Sequence, residues 1–245
     1  MTKIKKFEKK EAEKAKTQEE ISFTVVEASN ALENPQAVLG EGEEFFKKNQ
    51  KWFIVGFSAL ALSIGGYFGF KYFQTEQNNE AAGKLYPAEY FLQADSLGKV
   101  LKGEGKYWSA KKVADEYGIS QTAKLGRLYT GIALMKENKF KEAVAQLEQF
   151  SSDDMLVQAR AYSLLGDAYM ELNKLDDAIK NYRKASNYYP NQFFTPVYLM
   201  KLALAYELKN DKKAAIGVYD EILKDYYNSA ERNNAQKYKA RLEAQ

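Results

Sequence analysis

A pattern of small and large residues recurs at a period near 34 residues through the second half of the chain, and this register restricts the fold more than anything else in the sequence. Gly131, Gly166 and Ala203 stand at equivalent places. Each is followed at the same distance by Ala143, Ala178 or Ala215, with Asn138, Asn173 or Asn210 between. A period of this length belongs to helix–turn–helix units that cannot bury their apolar faces alone and must stack. The small residues mark close helix crossings, and the asparagines mark turns where a helix ends in a left-handed residue. The clearest copy places Tyr162, Leu165, Gly166 and Tyr169 on a first helix and Ala178, Tyr182 and Ala185 on a second, closed by Pro190, which has no backbone donor for a continuing helix. Arg127, Thr130 and Leu134 replace the first-helix residues in the copy before it, and Ile222 and Tyr227 replace Ala185 and Pro190 in the copy after it. Such divergence is usual in terminal repeats.

From Trp52 to Phe70 the chain reads WFIVGFSALALSIGGYFGF, a run of about nineteen residues without a charge that reaches roughly 30 Å as a helix. A buried core helix of this length would ordinarily carry some charge, and Trp52, Tyr67 and Tyr72 stand near the ends, where interfacial aromatics belong. The run therefore predicts a transmembrane helix over 51–73. It begins some fifty residues into the chain and runs into Lys71-Tyr72-Phe73 rather than a small-residue cleavage site, so it is expected to remain as an anchor. Lys47, Lys48 and Lys51 precede it, whereas Lys71 is followed by Glu76 and Glu80, which predicts a cytoplasmic N-terminus. In a bacterial inner membrane the remainder, 74–245, is then periplasmic. Ala61, Gly65 and Gly69 form a stripe without bulk along the span, where a partner helix can approach closely.

Around these two features the rest of the chain divides readily. The Lys/Glu-rich first twenty residues bury too little apolar surface to fold, so 1–50 reads as a charged tail ending in a short juxtamembrane helix after Pro35. Residues 74–123 read as an irregular leading helix pair, Glu76 to Asp95 and Tyr107 to Tyr117, with Pro87 expected to end or kink the first. Repeats follow at about 124–157, 159–192 and 196–229. A closing helix over 229–245, capped by Ser229, carries Ala235, Tyr238 and Leu242 on one face.

The spacing of Tyr162, Gly166, Ala178, Tyr182, Ala185 and Pro190 resembles the tetratricopeptide repeat (TPR), which implies an all-α chain: one transmembrane helix followed by a TPR α-solenoid. With the uncleaved span, the segment Leu164 to Pro190 and YFLQADSL from Tyr90 to Leu97, the chain resembles the YfgM-like family of ancillary Sec-translocon subunits. That resemblance implies an inner-membrane protein whose partners are Sec channel subunits, a membrane-anchored prolyl isomerase-like chaperone and emerging secretory proteins. No cofactor is expected, because the chain has no GxxxxGK[ST] phosphate loop and no metal constellation beyond scattered carboxylates. The other reading is a TPR adaptor for a different cell-envelope assembly or secretion complex.

In the TPR register the first helices line the concave side. This places Leu125, Leu128, Ile132, Met135, Ser163, Asp167, Met170, Met200 and Leu204 there. A surface so rich in methionine suits an amphipathic or variable apolar segment, and the same residues equally suit a tightly curled core. Ser163 and Asp167 stand where a carboxylate-clamping TPR needs basic or amide groups. Catalysis has little to draw on: the chain has no His and no Cys, which removes imidazole and thiol chemistry and Cys/His metal sites. Lys+Arg 36 against Asp+Glu 33 gives no cationic groove for nucleic acid. Asp153-Asp154 and Asp176-Asp177 are expected to be helix-start residues rather than an acid–base pair. A hydrolase built on carboxylates alone remains the reading from another class.

Overall fold

A computed structural model describes residues 35–244, with side chains from 45 onward; the charged tail expected before residue 35 lies outside the described residues. The chain divides into two units, one ending at Gly69 and the other Phe70–Gln245. Ten α-helices lie among the described residues: α1 Pro35–Gln93, α2 Leu97–Lys102, α3 Ala110–Glu116, α4 Gln121–Lys136, α5 Phe140–Leu147, α6 Met155–Glu171, α7 Leu175–Tyr188, α8 Thr195–Leu208, α9 Lys212–Asp225 and α10 Arg232–Glu243.

One helix, α1, covers what the sequence divides into a juxtamembrane helix, a span and a leading helix. Gly40 and Gly42 do not interrupt it, and Pro87, expected to end or kink the leading helix, does not end it. A proline inside a helix costs about 3 kcal/mol. Leu85, Ala88 and Phe91, on either side of Pro87, are buried against Val100, Val113 and Tyr117, and each large side chain so placed contributes about 1.5–3 kcal/mol. Burial thus outweighs the lost backbone bond. The leading part is also more than a pair: α2 is a short extra helix held by Val100 between Asp95, with φ 54°, and Gly103, with φ 79°. The second predicted helix begins later than Tyr107, because residues 104–107 form a tight bridge and Ser109 caps α3 by accepting from Lys112 N.

Six helices, α4 to α9, form three antiparallel pairs. Asn138, Asn173 and Asn210 turn each pair with φ of 59°, 55° and 63°, the left-handed conformation that asparagine tolerates best among residues with a side chain. At the crossings, a Cβ on Gly131 would lie 2.7 Å from Leu147 Cδ2, and one on Gly166 would overlap the Tyr182 ring. The small residue on each first helix is therefore the space into which the large residue of the second helix fits. Tyr219, Leu199, Leu202 and Ile222 continue this core through the third pair, and Ala235 and Leu242 of α10 cover its end. Ser229 does not cap α10: Glu231 occupies that position, and the Ser229 hydroxyl is buried without a hydrogen-bond partner.

Candidate partner-binding surface

Asp167 organises the middle of the first-helix face. Its carboxylate accepts from Tyr182 Oη at 2.8 Å and from Lys201 Nζ at 2.7 and 2.8 Å, the lysine reaching across from α8. Lys201 also lies 3.4 Å from Ser163 Oγ, which is buried. The cation nearest to where a clamp would need one is thus already held by Asp167, so this face is poorly equipped to grip a free terminal carboxylate.

Around that polar centre the predicted apolar residues are graded in depth. Leu128 is buried in the core, and Leu125, Ile132, Met135, Met170 and Met200 are half-buried and pack against it. Leu204 is exposed. The surface is therefore a shallow apolar strip broken by the Asp167–Lys201 pair. Along the apolar run, Ala61, Gly65 and Gly69 are open, and a Cβ added at either glycine would meet nothing within 4 Å.

Sequence reasoning missed a surface on α7. A cavity of about 600 Å³ is lined by Tyr162, Ile179, Arg183, Lys184, Tyr188 and Tyr206, none of them among the residues assigned to the concave side. Lys184 Nζ lies 5.4 Å from the Tyr162 ring centre, and that ring meets Tyr188 edge-on at 5.5 Å. Arg183 is tied to Glu221 at 2.8 and 3.2 Å. The signal was legible as the interleaved Tyr and Lys of NYRKASNYY, Asn181 to Tyr189. Cations beside rings suit carboxylate and aromatic groups.

Tyr169, Tyr182 and Tyr219 bind carboxylates from inside the solenoid. Tyr169 Oη donates to Glu148 at 2.6 Å, Tyr182 to Asp167, and Tyr219 to Glu207 at 2.6 Å. Burial, reinforced by the neighbouring carboxylate, pushes the Tyr169 hydroxyl up to about 12 from its ordinary value of 10.0. It raises Tyr182 and Tyr219 further for the same reasons. A phenol whose folded pKa is raised contributes stability in full below the unfolded pKa, and that contribution is lost as pH rises through the folded value. Stability to denaturant is therefore expected to fall steeply between about pH 10 and pH 12, with Tyr182→Phe flattening the fall. Phenolate absorbance followed beside circular dichroism checks this. An ordinary tyrosine titration complete before any unfolding contradicts it.

The paired acids are taken up in local contacts, and Asp176 pairs with Lys209. Asp154 accepts from Leu156 N and Val157 N at the start of α6, Asp153 accepts from Gln121 Nε2, and Asp176 and Asp177 lie in the first turn of α7. With the helical pairs in view, the class is plain: residues 130–190 and 169–231 each match the tetratricopeptide repeat family. Residues 130–231 of the second unit thus stack as a TPR α-solenoid, a protein-interaction fold, in a chain whose one helix long and apolar enough to cross a membrane lies on the N-terminal side among the described residues. No curated protein matches the chain.

Proposed function

We propose that the chain is a membrane-anchored TPR scaffold that stands beside the Sec protein-conducting channel of a bacterial inner membrane, recruits a membrane-anchored prolyl isomerase-like chaperone and assists the handover of secreted proteins. The observation that carries the anchored scaffold is the apolar run itself. In its most apolar window no residue is buried, so a large apolar surface is joined to a folded interaction domain with nothing among the described residues to cover it. Lipid is the natural cover. The lysines before the run support a cytoplasmic N-terminus and a periplasmic solenoid. The similarity of Tyr90–Leu97 and Leu164–Pro190 to the YfgM-like family supports the Sec channel as the neighbour.

TPR domains act by holding protein partners, and confinement to one membrane raises the effective concentration of each partner without any new contact. The half-buried Met135, Met170 and Met200 offer an adaptable strip for an apolar segment. In-cell photo-crosslinking from positions 69, 170 and 200 tests the reading. Capture of channel or chaperone subunits is the expected result. Capture of other envelope complexes contradicts the Sec assignment and favours the adaptor reading, while crosslinks confined to the chain itself contradict an open strip.

A further inference from the structure

The two edges of the solenoid are chemically unlike. Antiparallel pairing puts the turns within each pair on one edge and the connections between pairs on the other. The within-pair turns are built from Asn138, Asn173 and Asn210 with charged neighbours, and among the described residues Leu208 is the large exposed apolar side chain they carry. The connecting edge presents exposed apolar groups in three of its loops and at the start of α6: Ile119, Met155, Tyr189, Phe193, Phe194 and Tyr227. Phe193 is 82% exposed and Tyr227 60%. These loops follow one another along the edge, with hydrogen bonds joining the first two and the last two. Gln121 Nε2 donates to Asp153 at 2.7 Å between the first two, and Gln192 Nε2 to the Asp225 carbonyl at 3.4 Å between the last two.

The chain enters its second unit at this same edge. Gln74 Nε2 donates to the Ile119 carbonyl at 3.2 Å, and Asn78 Oδ1 accepts from Ser120 Oγ at 2.7 Å and Thr122 N at 3.3 Å, all at the start of α4. Asp95 meets Lys136 at the far end of α4, so this part of α1 runs alongside α4 in the same direction. The apolar run ends at Phe70 and the aromatics Tyr72 and Phe73, one helical turn before Gln74, a rise of only about 6 Å. The polar layer of a bilayer is itself about 5–8 Å thick on each side. On the anchored reading, covalent connection keeps the Ile119 end of this edge within reach of the membrane surface.

We propose that this edge rests in the headgroup layer of the bilayer that holds the chain's own span, with its rings in the interface, so that the concave face opens sideways along the membrane. The inference rests on the anchored reading above. Exposed tyrosine and phenylalanine are favoured at that depth. Cation attraction is not the cause, because the edge carries Asp153, Asp154, Asp225 and Glu231 against Lys224 and Arg232, with Asp154 capping α6 and Asp153 held by Gln121. Contact should therefore occur on uncharged lipid and survive salt.

The native sequence has no cysteine, so single sites can be labelled in the full chain. With the protein in phosphatidylcholine nanodiscs, an environment-sensitive fluorophore is placed at Asn228→Cys on the aromatic edge, Lys213→Cys near the opposite edge or Leu62→Cys in the span. Spin-labelled lipids quench whatever lies near them. The expected result is quenching at 62 and 228, little at 213, and loss of the signal at 228 but not at 62 when Phe193→Ser and Tyr227→Ser are combined. Quenching at 62 with 228 no more affected than 213 overturns the docked edge and leaves the anchor standing. No quenching at 62 overturns the anchor as well. Quenching at 228 that requires anionic lipid, or that salt removes, overturns the aromatic basis of the contact.

Discussion

Combining Leu62→Arg with Ile64→Arg is expected to move the protein from the membrane pellet to the soluble or aggregated fraction. Near the centre of a membrane helix each arginine is disfavoured by about 2.5–3.5 kcal/mol, and each lost leucine or isoleucine adds about 0.5 kcal/mol, so the pair shifts insertion by roughly 6–8 kcal/mol. Both positions are exposed, so the change disturbs no packing within the protein and reports the lipid contribution alone. Tyr86→Arg, equally exposed on α1 but well beyond the apolar run, is the control and should stay in the pellet. Retention of the double variant in membranes at the native level contradicts the assignment of this helix to lipid.

Gly126→Ala is expected to have the largest effect on the solenoid. Alanine is favoured over glycine in a helix by about 1 kcal/mol, so the sign depends on the space available. A Cβ here would overlap the carbonyl oxygen of Ala110 on α3 and lie 3.2 Å from the Ala114 Cβ. A backbone oxygen cannot swing aside as a side chain can, and α3 must move off α4. With overpacking at the upper end of its usual range, the net cost is about 2 kcal/mol. In a unit of this size that corresponds to a fall in Tm of about 4–8 °C. Gly217→Ala on α9 is the counterpart: nothing lies within 4 Å of its Cβ, so Tm should rise slightly. Thermal melts of the two variants decide the matter, and equal shifts would show that the α3–α4 approach is looser than described.

The repeat register was legible because its signals are local. Asparagine in a left-handed turn and glycine beneath a leucine or tyrosine are choices that a period of about 34 residues repeats in view. What escaped was tertiary. Pro87 reads as a helix stop or kink until the burial of Leu85 and Phe91 on either side of it is known. The short α2 cannot be told from a loop by periodicity, and Val100 becomes informative only once the residues around it are placed. Ser229 has the chemistry of a cap and lies two residues before the position that α10 uses.

On the first-helix face, register identified the residues but not their depth. Leu128 lies three residues before Gly131 and Leu204 one residue after Ala203, both on the first-helix face, yet one is in the core and the other is open. The Asp167–Lys201 bridge joins residues on different helices, and sequence spacing carries no measure of that reach. The α7 surface was present in the pattern of Tyr and Lys but required three helices to become a cavity.

The central claim is that the apolar run of α1 crosses a membrane and displays the repeats on its far side. Protease treatment of spheroplasts and of inverted membrane vesicles, with a tag after residue 245, measures this directly. The account predicts that the tag is cleaved away in spheroplasts, protected in inverted vesicles, and remains with the membranes through alkaline carbonate washing. A tag protected in spheroplasts and cleaved in inverted vesicles, or a full-length chain released by the wash, contradicts it.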